Sequence, residues 1–176
     1  MTTMTLDQQQ SIYVLTLTNG DQDNVLNQDV LNEYIEIFDE IERHSHNACL
    51  VIQSDHPKTF CNGLDLAWLM QQSMQDKKAF TLELENMLLR LALLNLPVIV
   101  AINGNAYAGG AILASACDFR LMRADKGRFC FPEVKLTIPF TDCIAEIVQL
   151  LPNQHAIWEM SLTGKSMTGI ECLDAQ

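Results

Sequence analysis

Two glycine-bearing segments and one carboxylate are the residues whose types and spacing can do chemistry in this sequence. His56-Pro57-Lys58-Thr59-Phe60-Cys61-Asn62-Gly63 follows the apolar run Cys49-Leu50-Val51-Ile52, and Asn103-Gly104-Asn105-Ala106-Tyr107-Ala108-Gly109-Gly110 follows Val98-Ile99-Val100-Ala101-Ile102. Each segment leaves a run with the composition of a buried strand and opens a helix, the place where α/β folds put their ligands. Backbone N–H groups from two such loops can converge on one oxygen and stabilise negative charge developing there, with no side chain involved. The glycines also have a purely geometric reading, since Gly63 and Gly110 permit tight turns. The carboxylate is Glu133, in Phe131-Pro132-Glu133-Val134. Taken alone it reads equally well as an exposed acid after a proline.

The elements that must hold these loops follow from hydrophobic period. Ile12, Val14 and Leu17, with Leu15 off-phase, mark a strand ended by Asn19-Gly20-Asp21. Between Asp29 and His44, the apolar positions Val30, Leu31, Tyr34, Ile37, Phe38 and Ile41 recur every three or four residues, which predicts an amphipathic helix. Asp65 opens a helix through Met70, where a short acid caps the first turn. Phe80, Leu84, Met87, Leu88, Leu91 and Leu94 form a second helical stripe, closed by Asn95 and Pro97 before the strand at Val98. Gly109-Gly110 stands at the start of a helix through the small residues Ala111 to Ala116. Strands over 118–124 and 128–131, a helix over 143–151 and a short Ser/Thr-capped helix from Ser166 complete the reading. Alternating buried strands and helices predict an α/β fold in a single domain, residues 1–176.

Composition narrows the partners. Hydrophobic residues make 48% and charged residues 19% of the 176, so the chain is globular rather than disordered. Eleven Lys+Arg against 22 Asp+Glu give a net charge of −11, a field that repels nucleic acid and anionic membranes. A small anionic ligand remains compatible, because backbone N–H groups and a few basic side chains can build a local site. The cysteines Cys49, Cys61, Cys117, Cys130, Cys143 and Cys172 form no CxxC pair and read as reduced thiols. The four histidines are scattered, so no metal site is expected. The opening MTTMTLDQQQ lacks the basic and apolar regions of a secretory signal, and no apolar stretch is long enough to span a bilayer, so the expected compartment is cytoplasmic.

The two loops also carry a family resemblance. Phe60-Cys61-Asn62-Gly63-Leu64-Asp65-Leu66 resembles the FxxGxDL segment of the crotonase, or enoyl-CoA hydratase/isomerase, superfamily. Asn103-Gly104-x-Ala106-x-x-Gly109-Gly110, followed by Cys117-Asp118, resembles that superfamily's second loop, and Gly164-Lys165-Ser166-Met167-Thr168 its later glycine-basic segment. The segments stand in family order and at family spacing. Together with Leu121-Met122-Arg123-Ala124-Asp125-Lys126-Gly127 and the Glu133 segment, they resemble most the Δ3,Δ2-enoyl-CoA isomerases of plants.

The resemblance implies a crotonase-like spiral of stacked ββα units that binds an acyl-CoA, with the thioester oxygen held by the N–H groups of Leu64 and Gly109. Coenzyme A enters as part of the substrate, and no separate cofactor is implied. Lys58, Asn62, Gly63, Asp65 and Gly110 fall at binding positions, although Asp65 itself reads first as a helix cap. A hydratase of this family uses two glutamates. The first position maps to Ile112, which does no acid–base chemistry, and the second to Glu133. Hydration is therefore disfavoured, and a single carboxylate suits a 1,3-proton shift, moving a double bond from the 3- to the 2-position with Glu133 as base and then acid. A decarboxylase of an acyl-thioester and a non-catalytic acyl-CoA-binding homologue are the alternatives. The family implies a homotrimer or a dimer of trimers. Its members run to about 250 residues, so the chain is read as C-terminally truncated, with the family's last helices absent.

Overall fold

A computed structural model describes residues 2–44 and 47–175. Five strands form the larger sheet: β1 (Met4–Gln9), β2 (Ile12–Leu17), β3 (Cys49–Ser54), β5 (Val98–Ile102) and β7 (Phe119–Met122), adjacent in that order. The β1–β2 hairpin is antiparallel, and every later pairing in this sheet is parallel. The crossovers are helical, as parallel neighbours require. A second sheet carries β4 (Thr59–Cys61), β6 (Asn105–Tyr107), β8 (Phe129–Cys130) and β9 (Ser166–Met167) in that order. Each strand of the first sheet from β3 onward is thus followed by a short strand of the second, and the chain alternates between two layers.

The helices are α1 (Gln28–His44), α2 (Leu66–Met70), α3 (Met74–Ala92), α4 (Gly109–Ser115), α5 (Glu133–Leu136), α6 (Asp142–Val148), α7 (Gln154–Thr163) and α8 (Gly169–Asp174). The stripe predicted for α1 is the one that packs: Val30, Leu31, Tyr34, Phe38 and Ile41 are buried against Leu15, Leu50 and Ile52 of the sheet. Burying each such side chain contributes about 1.5–3 kcal/mol. In α3 the buried residues are Phe80, Leu84, Met87, Leu88 and Leu91, again the predicted stripe, while Ser73 starts the helix earlier than the stripe alone indicates. Its hydroxyl accepts from the Asp76 amide. The sequence had no strand before Ile12. β1 is largely exposed and polar, and it forms because its backbone pairs with β2 through a tight turn at Gln10, φ +57°.

The second sheet exists because the loops are more regular than their composition suggests. Thr59–Cys61 and Asn105–Tyr107 pair in parallel, and glycines let the two segments touch. A β-carbon on Gly104 would lie 2.3 Å from the Lys58 carbonyl oxygen, and one on Gly110 would lie 2.1 Å from that of Cys61. All six cysteines are free; Cys61, Cys117 and Cys130 are buried and the other three half-buried. Of the four histidines, His46 lies outside the described residues. Among the described residues, no helix is long and apolar enough to cross a membrane.

Candidate active site

The two glycine loops meet. A β-carbon built on Gly63 would lie 2.7 Å from the Gly109 nitrogen and 3.0 Å from the Tyr107 carbonyl oxygen, and one on Gly109 would lie 3.2 Å from the Gly63 Cα. Gly63 also has φ +87°, a conformation that L side chains rarely adopt. Two separate requirements therefore select glycine at position 63, the positive φ of the turn and the close approach of the second loop.

Gly109 is the first residue of α4, so its N–H lies outside the intrahelical ladder at the positive end of the helix. The Leu64 N–H stands in the irregular stretch between β4 and α2. Among the described residues, neither N–H donates to a protein acceptor. Their neighbours are occupied: the Ala108 amide donates to the Cys130 carbonyl (3.0 Å), the Asp65 amide to the Leu26 carbonyl (2.8 Å), and the Gly63 amide approaches Cys61 Sγ (3.5 Å). Ala108, the N-cap of α4, has φ +49° and ψ −124°. Non-glycine residues avoid this region, and holding one there stores of order 1–3 kcal/mol. At the far end of α4, Arg120 caps the helix by donating through Nη1 to the Ala114, Ser115 and Cys117 carbonyls, and Asp118 accepts from the Val98 amide at 2.8 Å.

Glu133 begins α5, a one-turn helix outside every element expected from the sequence. It is 8% exposed, and its Oε2 is buried without a hydrogen-bond partner among the described residues. Loss of solvation pushes its carboxyl above the usual range, only partly offset by a hydrogen bond to its own backbone. Glu133 follows three residues after Cys130, whose carbonyl binds the Ala108 amide, so β6–β8 pairing ties its segment to the second loop. Phe131, fully buried between Phe129 and Phe140 in edge-on contacts, fixes the backbone just before it. Ile112 is 3% exposed on α4, which makes that helix apolar one turn beyond Gly109.

The other predicted residues take varied places. Asp65 caps α2 through a bond from the Trp68 amide to Oδ1 (2.9 Å). Asn62 lines a cavity of about 370 Å³ with Tyr107, Cys130, Pro132, Lys135, Gly164 and Ser166, between the first loop and the Glu133 segment. Lys58 is exposed, and its carbonyl holds the Asn105 amide at 2.8 Å, while its ammonium makes no ion pair among the described residues. Gly110 is buried against Cys61. Burial pushes the thiols of Cys61 and Cys117 up to about 12, so both stay protonated beside the loops. A larger cavity of about 440 Å³, bordered by Ile102, Met122, Phe129, Ile157, Met160 and Met167, touches none of the predicted site residues.

Residues Asp23 to Leu26, which the sequence reading passed over, back the first loop directly. The Leu26 amide donates to Gly63 O (2.7 Å), its carbonyl accepts from Asp65, and the Asn62 amide donates to Asp23 O (3.1 Å). The available signal was a polar Asp23-Asn24 pair just before an amphipathic helix, which marks a turn and says nothing of what the turn touches.

Two glycine loops in contact, a buried carboxylate on the segment that follows β8, and this two-layer framework correspond to a known class. The sequence model of the Enoyl-CoA hydratase/isomerase family matches residues 7–175. The chain is 30% identical over 177 residues to an Arabidopsis thaliana protein named Enoyl-CoA delta isomerase 2, peroxisomal, covering 96% of this chain and 72% of that protein. It is 32% identical over 133 residues to the Short-chain-enoyl-CoA hydratase of Clostridium acetobutylicum, covering 76% of this chain and 51% of that one. The crystal structure of an enoyl-CoA hydratase from Bacillus anthracis superposes with a TM-score of 0.89 at 23% identity, over 99% of this chain and 67% of its own. The chain therefore belongs to the enoyl-CoA hydratase/isomerase family, and its fold is the crotonase-like one.

Proposed function

We propose that this chain shifts the double bond of a 3-enoyl-CoA to the 2-position. The observation that carries the reading is that one carboxylate, Glu133, is buried while the position of a hydratase's other glutamate is filled by the buried, apolar Ile112. The thioester oxygen accepts hydrogen bonds from the Leu64 and Gly109 amides. That polarisation acidifies C2 and stabilises the dienolate that forms when Glu133 takes the C2 proton. Glu133 returns the proton at C4, so the substrate is isomerised with no net gain or loss of atoms. A carboxyl pKa raised by burial suits a group that must act as base and then as acid. Adding water needs a second group to activate it, and Ile112 supplies none.

Lys58, Asn62, Gly63, Asp65 and Gly110 contribute to acyl-CoA binding in this reading: the glycines by letting the loops close, Asp65 by fixing α2, Asn62 by lining the adjacent cavity and Lys58 by its charge. A cytoplasmic location agrees with six free thiols, which a reducing compartment maintains. Assembly as a trimer or a dimer of trimers has support in apolar side chains left at the surface around the larger cavity, among them Leu121, Ile170 and Leu173.

The test is product analysis after incubation with trans-3-hexenoyl-CoA. Isomerisation gives the 2-enoyl thioester as the first product. A 3-hydroxy product accumulating from trans-2-hexenoyl-CoA at a comparable rate contradicts the assignment and points to hydration.

A further inference from the structure

Resting on the function just proposed, we infer that the turn Asp23–Leu26 is a clip that positions the Leu64 N–H, with Asn24 as its anchoring residue. Leu26 and Leu64 form an isolated parallel bridge: Leu26 N–H donates to Gly63 O, and Leu26 O accepts from Asp65 N–H, at 2.7 and 2.8 Å. In extended backbone, successive N–H groups point to opposite sides, so bonds made by the residues on either side of Leu64 turn its own N–H away from Leu26. The bridge thus frees this N–H for another acceptor and fixes its direction. A third bond, Asn62 N–H to Asp23 O, extends the clip to the start of the loop.

Side chains hold the clip to the rest of the site. Asp23 and Asn24 both have positive φ, +56° and +49°, which makes the turn tight. Asn24 is 5% exposed, and its Nδ2 donates to Ser54 Oγ and to Phe60 O, both at 2.9 Å, so one carboxamide joins the turn to the end of β3 and to β4. Ser54 Oγ donates onward to Thr59 O (2.9 Å), and Thr59 Oγ1 donates to Asp23 Oδ1 (3.1 Å), closing the ring. Leu26 reaches the second loop as well: its Cδ1 lies 3.3 Å from where a Gly109 β-carbon would stand. The same residue therefore fixes one amide by backbone bonds and packs beside the other. Asn24 and Leu26 touch no reacting atom in this arrangement; they act through Leu64.

The clip predicts an electronic effect that a merely structural role does not produce. Bound 2,4-hexadienoyl-CoA, a conjugated thioester, absorbs at longer wavelength when its carbonyl is polarised. In the wild type the bound probe is red-shifted. In Asn24→Ala the shift shrinks, and kcat falls roughly 10- to 100-fold, below the loss expected for deleting an oxyanion donor outright, with a smaller rise in KM. Ile157→Ala, distant from the loops, serves as the control of comparable thermal destabilisation and keeps the shift. Glu133→Gln abolishes turnover yet keeps the shift, which separates the clip from the base. Where Asn24→Ala does not fold, Thr59→Val carries the test, with a smaller loss in the same sense. Retention of both the shift and kcat in the folded Asn24 or Thr59 variant overturns the clip. A wild type that turns over 3-enoyl-CoA without any red shift also overturns it, whereas a wild type with neither property removes the function beneath it.

Discussion

The Gly63 backbone and the Gly109 amide lie so close that a β-carbon on the first would stand 2.7 Å from the nitrogen of the second. No side chain fits at position 63, and the Gly109 amide at that contact, like the neighbouring Leu64 amide, donates to no protein acceptor among the described residues.

Alanine scanning of the glycines separates folding from chemistry. Gly110→Ala drives a β-carbon to 2.1 Å from a backbone oxygen, and Gly63→Ala adds positive-φ strain to its clash; each is expected to lose about 2–4 kcal/mol in denaturant unfolding. Gly109→Ala meets its nearest atoms at 3.2–3.3 Å, which a few tenths of an ångström relieve. It should fold, with Tm within a few degrees, while kcat drops about 100-fold as its amide shifts.

Glu133 links activity and stability to pH in opposite directions. Its folded pKa is raised above the unfolded value, so the folded state holds its proton longer, and Glu133 contributes stability below the unfolded pKa that is lost as pH rises through the folded one. At neutral pH the buried charge is a net cost. Glu133→Gln should therefore raise Tm at pH 7 and leave it nearly unchanged at the acid end, as scanning calorimetry would show. In the wild type, kcat/KM should rise with pH through a pKa above the ordinary glutamate range, as the base ionises.

Much of this was legible in advance, for reasons that particular residues make plain. The stripes of α1 and α3 were readable because each helix buries one face, and Cys49–Ile52 and Val98–Ile102 because central parallel strands are continuously apolar. Asp65 was readable as a cap from its place before an apolar run. β1 was not readable: only Met4 and Leu6 alternate toward the core, a run too short to mark a strand, and the polar remainder to Gln9 is held by pairing with β2. The short strands β4 and β6 hid inside loop composition, because glycines there serve a close approach that only the fold reveals. Leu64 and Gly109 came through family likeness rather than residue chemistry, since any residue has an amide. The Asp23–Leu26 turn was missed because its bonds to residues 62–65 bridge a long sequence separation.

Ile112→Glu would restore the second carboxylate of a hydratase. The side chain is 3% exposed, so the substitution should cost about 2–4 kcal/mol by calorimetry. In the folded fraction, water addition to trans-2-hexenoyl-CoA should rise above the wild-type level. An unchanged hydration rate would mean that Ile112 is not what excludes that reaction.

Ala108 tests whether backbone strain serves the second loop. Ala108→Gly relieves the φ +49°, ψ −124° conformation, and the gain outweighs the added freedom of the unfolded chain, so stability should rise by up to about 1 kcal/mol. Ala108→Val, β-branched at the same position, should lose at least as much. Urea unfolding of the pair decides the sign.

The most direct test compares the wild type with Glu133→Gln on trans-3-hexenoyl-CoA in deuterated buffer, with products separated chromatographically. The wild type should convert it to the 2-enoyl-CoA, and the variant should lose at least about 1000-fold of that rate while still binding the thioester. Isomerisation by the variant at a rate near wild type would contradict the assignment of Glu133, and absence of conversion by a wild type that binds acyl-CoA would contradict the isomerase itself.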